Sequence, residues 1–141
     1  KGYRHALEEN NITYDDRFVH VSKLGEQDGI DAASYILSLD RSERPDAVFC
    51  ADDMSAVYCM SRLKAHGIKI PEDIAFAGFN NDAVSRVVEP NLTTIDYPGY
   101  NIGEAAAAGL LNILKGDVTT MKTTRLVLQS TLLIRDSSKR L

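Results

Sequence analysis

The sequence has no tryptophan, only two cysteines and four prolines, and no apolar run near the 18 residues a membrane-spanning helix needs. Two cysteines, Cys50 and Cys59, at this spacing match neither a disulfide framework nor a zinc site, so both read as small buried hydrophobes in a reducing compartment. Basic residues are too few for a nucleic-acid surface: 16 Lys and Arg stand against 20 Asp and Glu, with a net charge of −4. The motifs of common enzymes are also missing. There is no Gly-x-Ser-x-Gly elbow and no phosphate-binding Walker loop, and Gly25 and Gly29 make no dinucleotide fingerprint.

What remains is ordinary globular composition, 44% hydrophobic and 26% charged over 141 residues, enough for one domain with a real core. Residues 1–114 carry 10 basic and 18 acidic side chains, whereas residues 115–141 carry 6 basic and 2 acidic. That basic end reads as a solvated face, or as a contact with something acidic. The chain opens at Lys1 inside a helical pattern with neither Met nor a signal peptide, as a piece of a longer protein would.

Hydrophobic spacing predicts helices over Tyr3–Asn10, Glu26–Leu39, Asp53–His66, Asp82–Val88 and Gly99–Leu114. Apolar or β-branched runs predict strands at Phe18–Val21, Ala47–Cys50, Ile74–Gly78, Thr93–Ile95, Arg125–Leu128 and Leu132–Ile134. The run ending at Cys50 is continuous, as in a strand covered on both faces. Strands alternating with helices imply an α/β fold built of βαβ units on a parallel sheet.

Ligands of open α/β sheets bind beyond the carboxyl ends of the strands. Two such ends are visible, Cys50-Ala51-Asp52-Asp53 and Gly78-Phe79-Asn80-Asn81-Asp82. Carboxylates and amides placed there suit a polyhydroxyl ligand, since they offer donors and acceptors at short reach. Asp53 and Asp82 read equally as helix caps, and the asparagines as turn formers. A magnesium-dependent phosphotransfer site at Asp52-Asp53 would require a second acidic strand end, and Asn80-Asn81 stands there instead. His5, His20 and His66 are scattered without metal-ligand spacing, so no metal or cofactor is expected.

Four segments in order resemble the lactose/galactose repressor family: Arg44–Asp53, Gly67–Phe79, Pro90–Ile95 followed by Ile102–Ala106, and Leu133–Ser138. The resemblance covers essentially the whole chain. It implies a type I periplasmic-binding-protein-like effector domain of two lobes with a ligand cleft at their hinge. Residues 1–92 would form the C-terminal lobe, 93–124 the hinge crossing and a helix of the incomplete N-terminal lobe, and 125–141 the closing strands and tail. The function implied is that of a repressor sensing a sugar-like molecule without catalysis. The alternative is a sugar-binding component of a periplasmic transporter.

The same resemblance implies Asp52, Asn80 and Leu24 as ligand-binding positions. Relatives carry Asn where Asp52 stands, Asp where Asn80 stands, and an aromatic or apolar ring cover where Leu24 stands. A further anchor, an Arg three positions before the residue matching Gly2, falls off this chain. Asp53 is expected as a helix cap. A homodimer surface is expected from Val57, Met60, Ser61 and Lys64, on a helix face separate from Ala56, Cys59 and Leu63, extended by Arg86–Glu89 with Val87 and Val88 exposed. DNA contact is expected only through a helix-turn-helix head outside this chain, in a cytoplasmic protein with no membrane partner.

Overall fold

The computed structural model describes residues 1–21, 23–116 and 125–139. Five helices are present among them: α1 (Gly2–Glu9), α2 (Glu26–Ser38), α3 (Asp53–Ala65), the single turn α4 (Val84–Val87) and α5 (Gly99–Leu114). The strands are β1 (Ala47–Phe49), β2 (Ala75–Phe79), β3 (Thr93–Asp96) and β4 (Thr131–Leu133). They form one sheet in the order β1-β2-β3-β4. β1, β2 and β3 run parallel, with Val48 beside Phe76 and Gly78 beside Thr94. β4 returns antiparallel to β3.

The parallel part follows from the sequence. A helix that follows a strand of such a sheet must cover it with its apolar stripe, and α3 after β1 does so. α3 presents Ala56, Cys59, Met60 and Leu63, all fully buried, toward Phe76, Ile74 and Leu92. α2 packs on α3 through Ala33 and Ile36. Gly29 makes that approach possible, because a β-carbon there would collide with the Ser55 carbonyl and the Tyr58 side chain. Burying each large apolar side chain of this core contributes about 1.5–3 kcal/mol.

Two predicted strands do not form, and two are shifted by one residue, β2 toward the C-terminus and the last strand toward the N-terminus. Phe18–Val21 begins in a 3₁₀ turn at Asp16–Phe18 and pairs with nothing among the described residues; Val21 is 89% exposed. Arg125–Leu128 is also unpaired, with Leu126 and Val127 exposed. β-propensity describes fit to a pleated, half-buried surface, and neither run joins a ladder among the described residues. The last strand begins one residue earlier than predicted. β1 is covered on one face only: Val48 packs inward while Phe49 is 57% exposed.

α5 forms as its spacing predicts but buries no residue. Ile102, Leu110, Leu111, Ile113 and Leu114 all lie open. The predicted helix stop at Gly116-Asp117 and the span through residue 124 fall partly outside the described residues, as do residues 140–141.

Candidate functional site

β1 and β2 are adjacent and parallel, so the loops that follow them emerge at the same sheet edge. The Cys50 N–H donates to the Ala77 carbonyl at 2.8 Å, carrying the ladder to the start of the first loop. The first loop delivers Asp52 and the second Asn80, as the sequence predicted for strand ends. Their roles differ from one another.

Asp52 is the N-cap of α3, which corrects the assignment of that cap to Asp53. Asp52 has extended backbone, φ −150° and ψ 157°, and its Oδ1 accepts from the Ser55 N–H at 2.9 Å. Its Oδ2 accepts from Ser55 Oγ at 2.5 Å. A cap must lie outside the helix so that its side chain can fold back onto the first turn. Asp53 already has its place inside the helix, and its carboxylate turns toward the sheet instead. Oδ1 accepts from Thr94 Oγ1 at 2.6 Å and Oδ2 from the Asp82 N–H at 2.7 Å. Asp53 is fully buried, and burial pushes its carboxyl above the usual carboxylate range against the pull of those two donors. A β-carbon on Gly78 would collide with Asp53 Oδ1, so the glycine makes room for the carboxylate.

Leu24 lies in the loop before α2, 53% exposed and at φ 66°. Ser55 ties this loop to the cap of α3: the Gly25 N–H donates to Ser55 Oγ at 2.8 Å, and the Gly25 carbonyl lies 3.1 Å from the same hydroxyl. One hydroxyl thus links the loop bearing Leu24 to the Asp52 carboxylate. Sequence reasoning missed Ser55; the available signal was its place three residues after the capping Asp52.

Asn80 and Asn81 both have positive φ, 113° and 56°. The Asn80 N–H donates to the Ile95 carbonyl at 3.0 Å, while its side-chain amide makes no hydrogen bond among the described residues. Asn81 Oδ1 accepts from Arg135 Nη2 at 2.7 Å. The tail after β4 is stitched into the same region. Ser137 Oγ donates to the Phe76 carbonyl at 2.7 Å and accepts from the Thr93 N–H at 2.8 Å. The sequence motif around Arg135 was visible, but nothing in its spacing showed what the tail would touch.

Two concavities lie away from these strand ends. An apolar one of about 430 Å³ is lined by Ile102, Ala105, Ala106, Leu126 and Leu128. A polar one of about 420 Å³, with Arg41, Arg44, Asp46, His66 and Asp73 in its lining, sits where β1 and β2 begin. Neither brings Asp52, Asn80 and Leu24 together. Among the described residues no cluster of three or more His, Cys, Asp or Glu side chains is set to hold a metal.

The helix face expected to meet a partner needs revision. Met60 is fully buried in the core. Val57 and Val88 are half-buried and pack against that core. Only Ser61 and Lys64 of the expected set are exposed, with Lys64 Nζ donating to the Glu89 carbonyl. Met60 stands one helical turn after Ala56 and beside Leu63, so it turns with them into the core. Of the two valines expected to be exposed there, Val87 is, at 79%, and Val88 is not.

Residues 1–138 match the sequence pattern described as periplasmic binding protein-like domain. The chain belongs to that family. Among curated proteins it is 38% identical over 114 residues to the transcriptional repressor PurR of Vibrio atlanticus, an alignment covering 81% of this chain and 34% of that protein. It is 32% identical over 137 residues to the transcriptional regulator CelR of Thermobifida fusca, covering 97% of this chain and 39% of that one. Among solved structures, a CelR–cellobiose complex aligns with TM-score 0.87 and 32% identity over 97% of this chain and 41% of that one. The regulator CcpA of Lactococcus lactis aligns with TM-score 0.87 and 26% identity, covering 98% and 49%.

These relatives are transcriptional regulators, and a LacI regulator from Lactobacillus casei aligns with TM-score 0.82 and 25% identity over 96% of this chain and 47% of that one, as the motif resemblance implied. The chain spans well under half the length of the curated relatives it matches. No helix among the described residues is long and apolar enough to cross a membrane.

Proposed function

We propose that this chain is the effector-sensing part of a transcription repressor of the lactose/galactose type, and that its ligand is a small hydroxylated molecule such as a sugar. It performs no catalysis. Residues 1–92 are the C-terminal lobe, 93–124 the hinge crossing and a helix of the second lobe, and 125–141 the closing strand β4 and the tail. The full-length protein is a cytoplasmic homodimer and reaches DNA through a head outside this chain. Ligand shifts the balance between two lobe arrangements, and with it the presentation of the DNA heads.

The observation that carries this reading is the alignment over 97% of the chain with a regulator solved with cellobiose. Two features agree with it. Asn80 offers an amide without a hydrogen-bond partner among the described residues at the carboxyl end of β2, where α/β sheets take ligands. α5 leaves the sheet with its apolar side chains open, as a helix belonging to a second lobe would.

The test is calorimetric titration of the full-length protein with cellobiose and a panel of mono- and disaccharides. Asn80→Leu should weaken binding by about 1–3 kcal/mol, the cost of ligand polar groups left without a partner. Unchanged affinity removes Asn80 from the site, and a protein that binds no sugar sinks the reading.

A further inference from the structure

Two successive asparagines at positive φ make the turn after β2 a costly one. Non-glycine residues enter that region at roughly 1 kcal/mol or more each and stay there only where their surroundings hold them. Three of the restraints act on the backbone. The Asn80 N–H is held by the Ile95 carbonyl, the Asn81 N–H by Thr94 Oγ1 at 3.3 Å and the Asp82 N–H by Asp53. The fourth reaches a side chain of the turn itself: Arg135 Nη2 donates to Asn81 Oδ1 at 2.7 Å.

Arg135 is itself firmly seated. Its Nη1 donates to Ser85 Oγ at 2.8 Å and to the Leu92 carbonyl at 2.9 Å, and its backbone N–H donates to Thr93 Oγ1 at 2.8 Å. The guanidinium is planar, so one nitrogen cannot leave its partners without moving the other. A half-buried arginine ordinarily answers a carboxylate. Among the described residues this one makes no ion pair, and every hydrogen-bond partner of its guanidinium is a neutral oxygen. Its charge reaches the Asp53 carboxylate only at a distance, while its hydrogen bonds join the tail after β4, the turn α4 and the loop after β2.

We propose that Arg135 is a positioning residue of the ligand site: through Asn81 it holds the Asn80–Asn81 turn in the shape that presents the Asn80 amide. This deepens the proposed function and rests on Asn80 as a ligand contact. The experiment compares Arg135→Lys, Asn81→Leu and Asn81→Asp with the wild type in the full-length protein. Backbone hydrogen exchange at Asn80 and Asp82 is followed together with cellobiose titration. Lysine keeps the charge and loses the fork, leucine removes the acceptor, and aspartate keeps an acceptor for the guanidinium.

Arg135→Lys and Asn81→Leu should speed exchange at Asn80 and Asp82 by roughly tenfold, about what loss of one charge-assisted hydrogen bond is worth. Exchange at Cys59 and Met60 in α3 should stay slow, and Asn81→Asp should keep the turn protected. Cellobiose affinity should fall roughly tenfold in Arg135→Lys. Unchanged exchange in the turn overturns the proposal, and so does equal acceleration throughout α3, which would mark a merely structural arginine. If the wild type binds no cellobiose or other sugar, the ligand reading fails by itself; the exchange at Asn80 and Asp82 still decides what Arg135 holds.

Discussion

Thr94 on β3 donates a 2.6 Å hydrogen bond to the buried carboxylate of Asp53 at the start of α3. With the Asp82 N–H on the other oxygen, this single side chain joins α3, β3 and the loop after β2. The junction lies directly beneath the strand ends at which ligands of such sheets bind.

That junction gives stability a pH dependence of known sign. Burial raises the native carboxyl of Asp53 above its usual value of 3.8. The native state then holds the proton more tightly than the unfolded chain, so this contribution is present in full below 3.8 and is lost as pH rises through the higher native value. Asp53→Asn cannot titrate. Urea unfolding at several pH values from 3 to 7 should therefore show the wild type gaining on the variant as the solution is acidified. Parallel curves would mean that the carboxyl is not strained by burial.

Gly78 is required by space rather than by backbone angle, because a methyl group there runs into Asp53. Gly78→Ala should cost about 1–3 kcal/mol, as overpacking of a closed site does. Gly103 supplies the contrast. It lies inside α5 with nothing within 4 Å of a β-carbon, so Gly103→Ala should leave stability unchanged or raise it by about 0.5–1 kcal/mol. Urea midpoints of both variants at constant slope check the pair.

The parts of the fold legible in the sequence were those fixed by local periodicity and by buried runs. The stripe Ala56, Cys59, Leu63 needed α3 and a sheet beneath it, and it has both. Phe18–Val21 has the same kind of composition as β1, yet a strand exists only through a partner, which a local pattern does not encode. The site divided along the same line. Counting along the strands places Asp52 and Asn80 at strand ends, whereas the cap rule, which either of two adjacent carboxylates satisfies, points to Asp53. Backbone geometry one residue apart decided between them. Ser55 and Arg135 act across separations of 30 and 54 residues, to Gly25 and Asn81, and no local pattern carries that information.

Both cysteines should be inert in the native protein. Burial pushes the Cys50 thiol up to about 12, with Asp52 and Asp53 adding like-charge resistance to a thiolate, and it pushes the Cys59 thiol up to about 12 as well. At pH 8 almost no thiolate exists at either site, and thiolate is the reacting form. A disulfide-exchange reagent should label neither residue on the timescale of minutes in buffer and both in denaturant. Rapid native labelling of Cys50 would show that the loop carrying Asp52 opens readily.

The dimer surface can be tested without harming the fold only if the buried residues are left alone. Met60→Glu would place an unpaired charge in the core and destabilise the monomer itself, so loss of the dimer in that variant would prove nothing. Ser61 and Lys64 are exposed and separate from the core cluster. Ser61→Glu combined with Lys64→Glu should leave the unfolding midpoint near that of the wild type. If this face meets its own copy across a two-fold axis, the added acidic groups oppose each other, and the dimer should weaken by roughly tenfold or more in sedimentation equilibrium. A dimer of undiminished affinity would move the interface to another surface, with the exposed Val87 on α4 the next position to change.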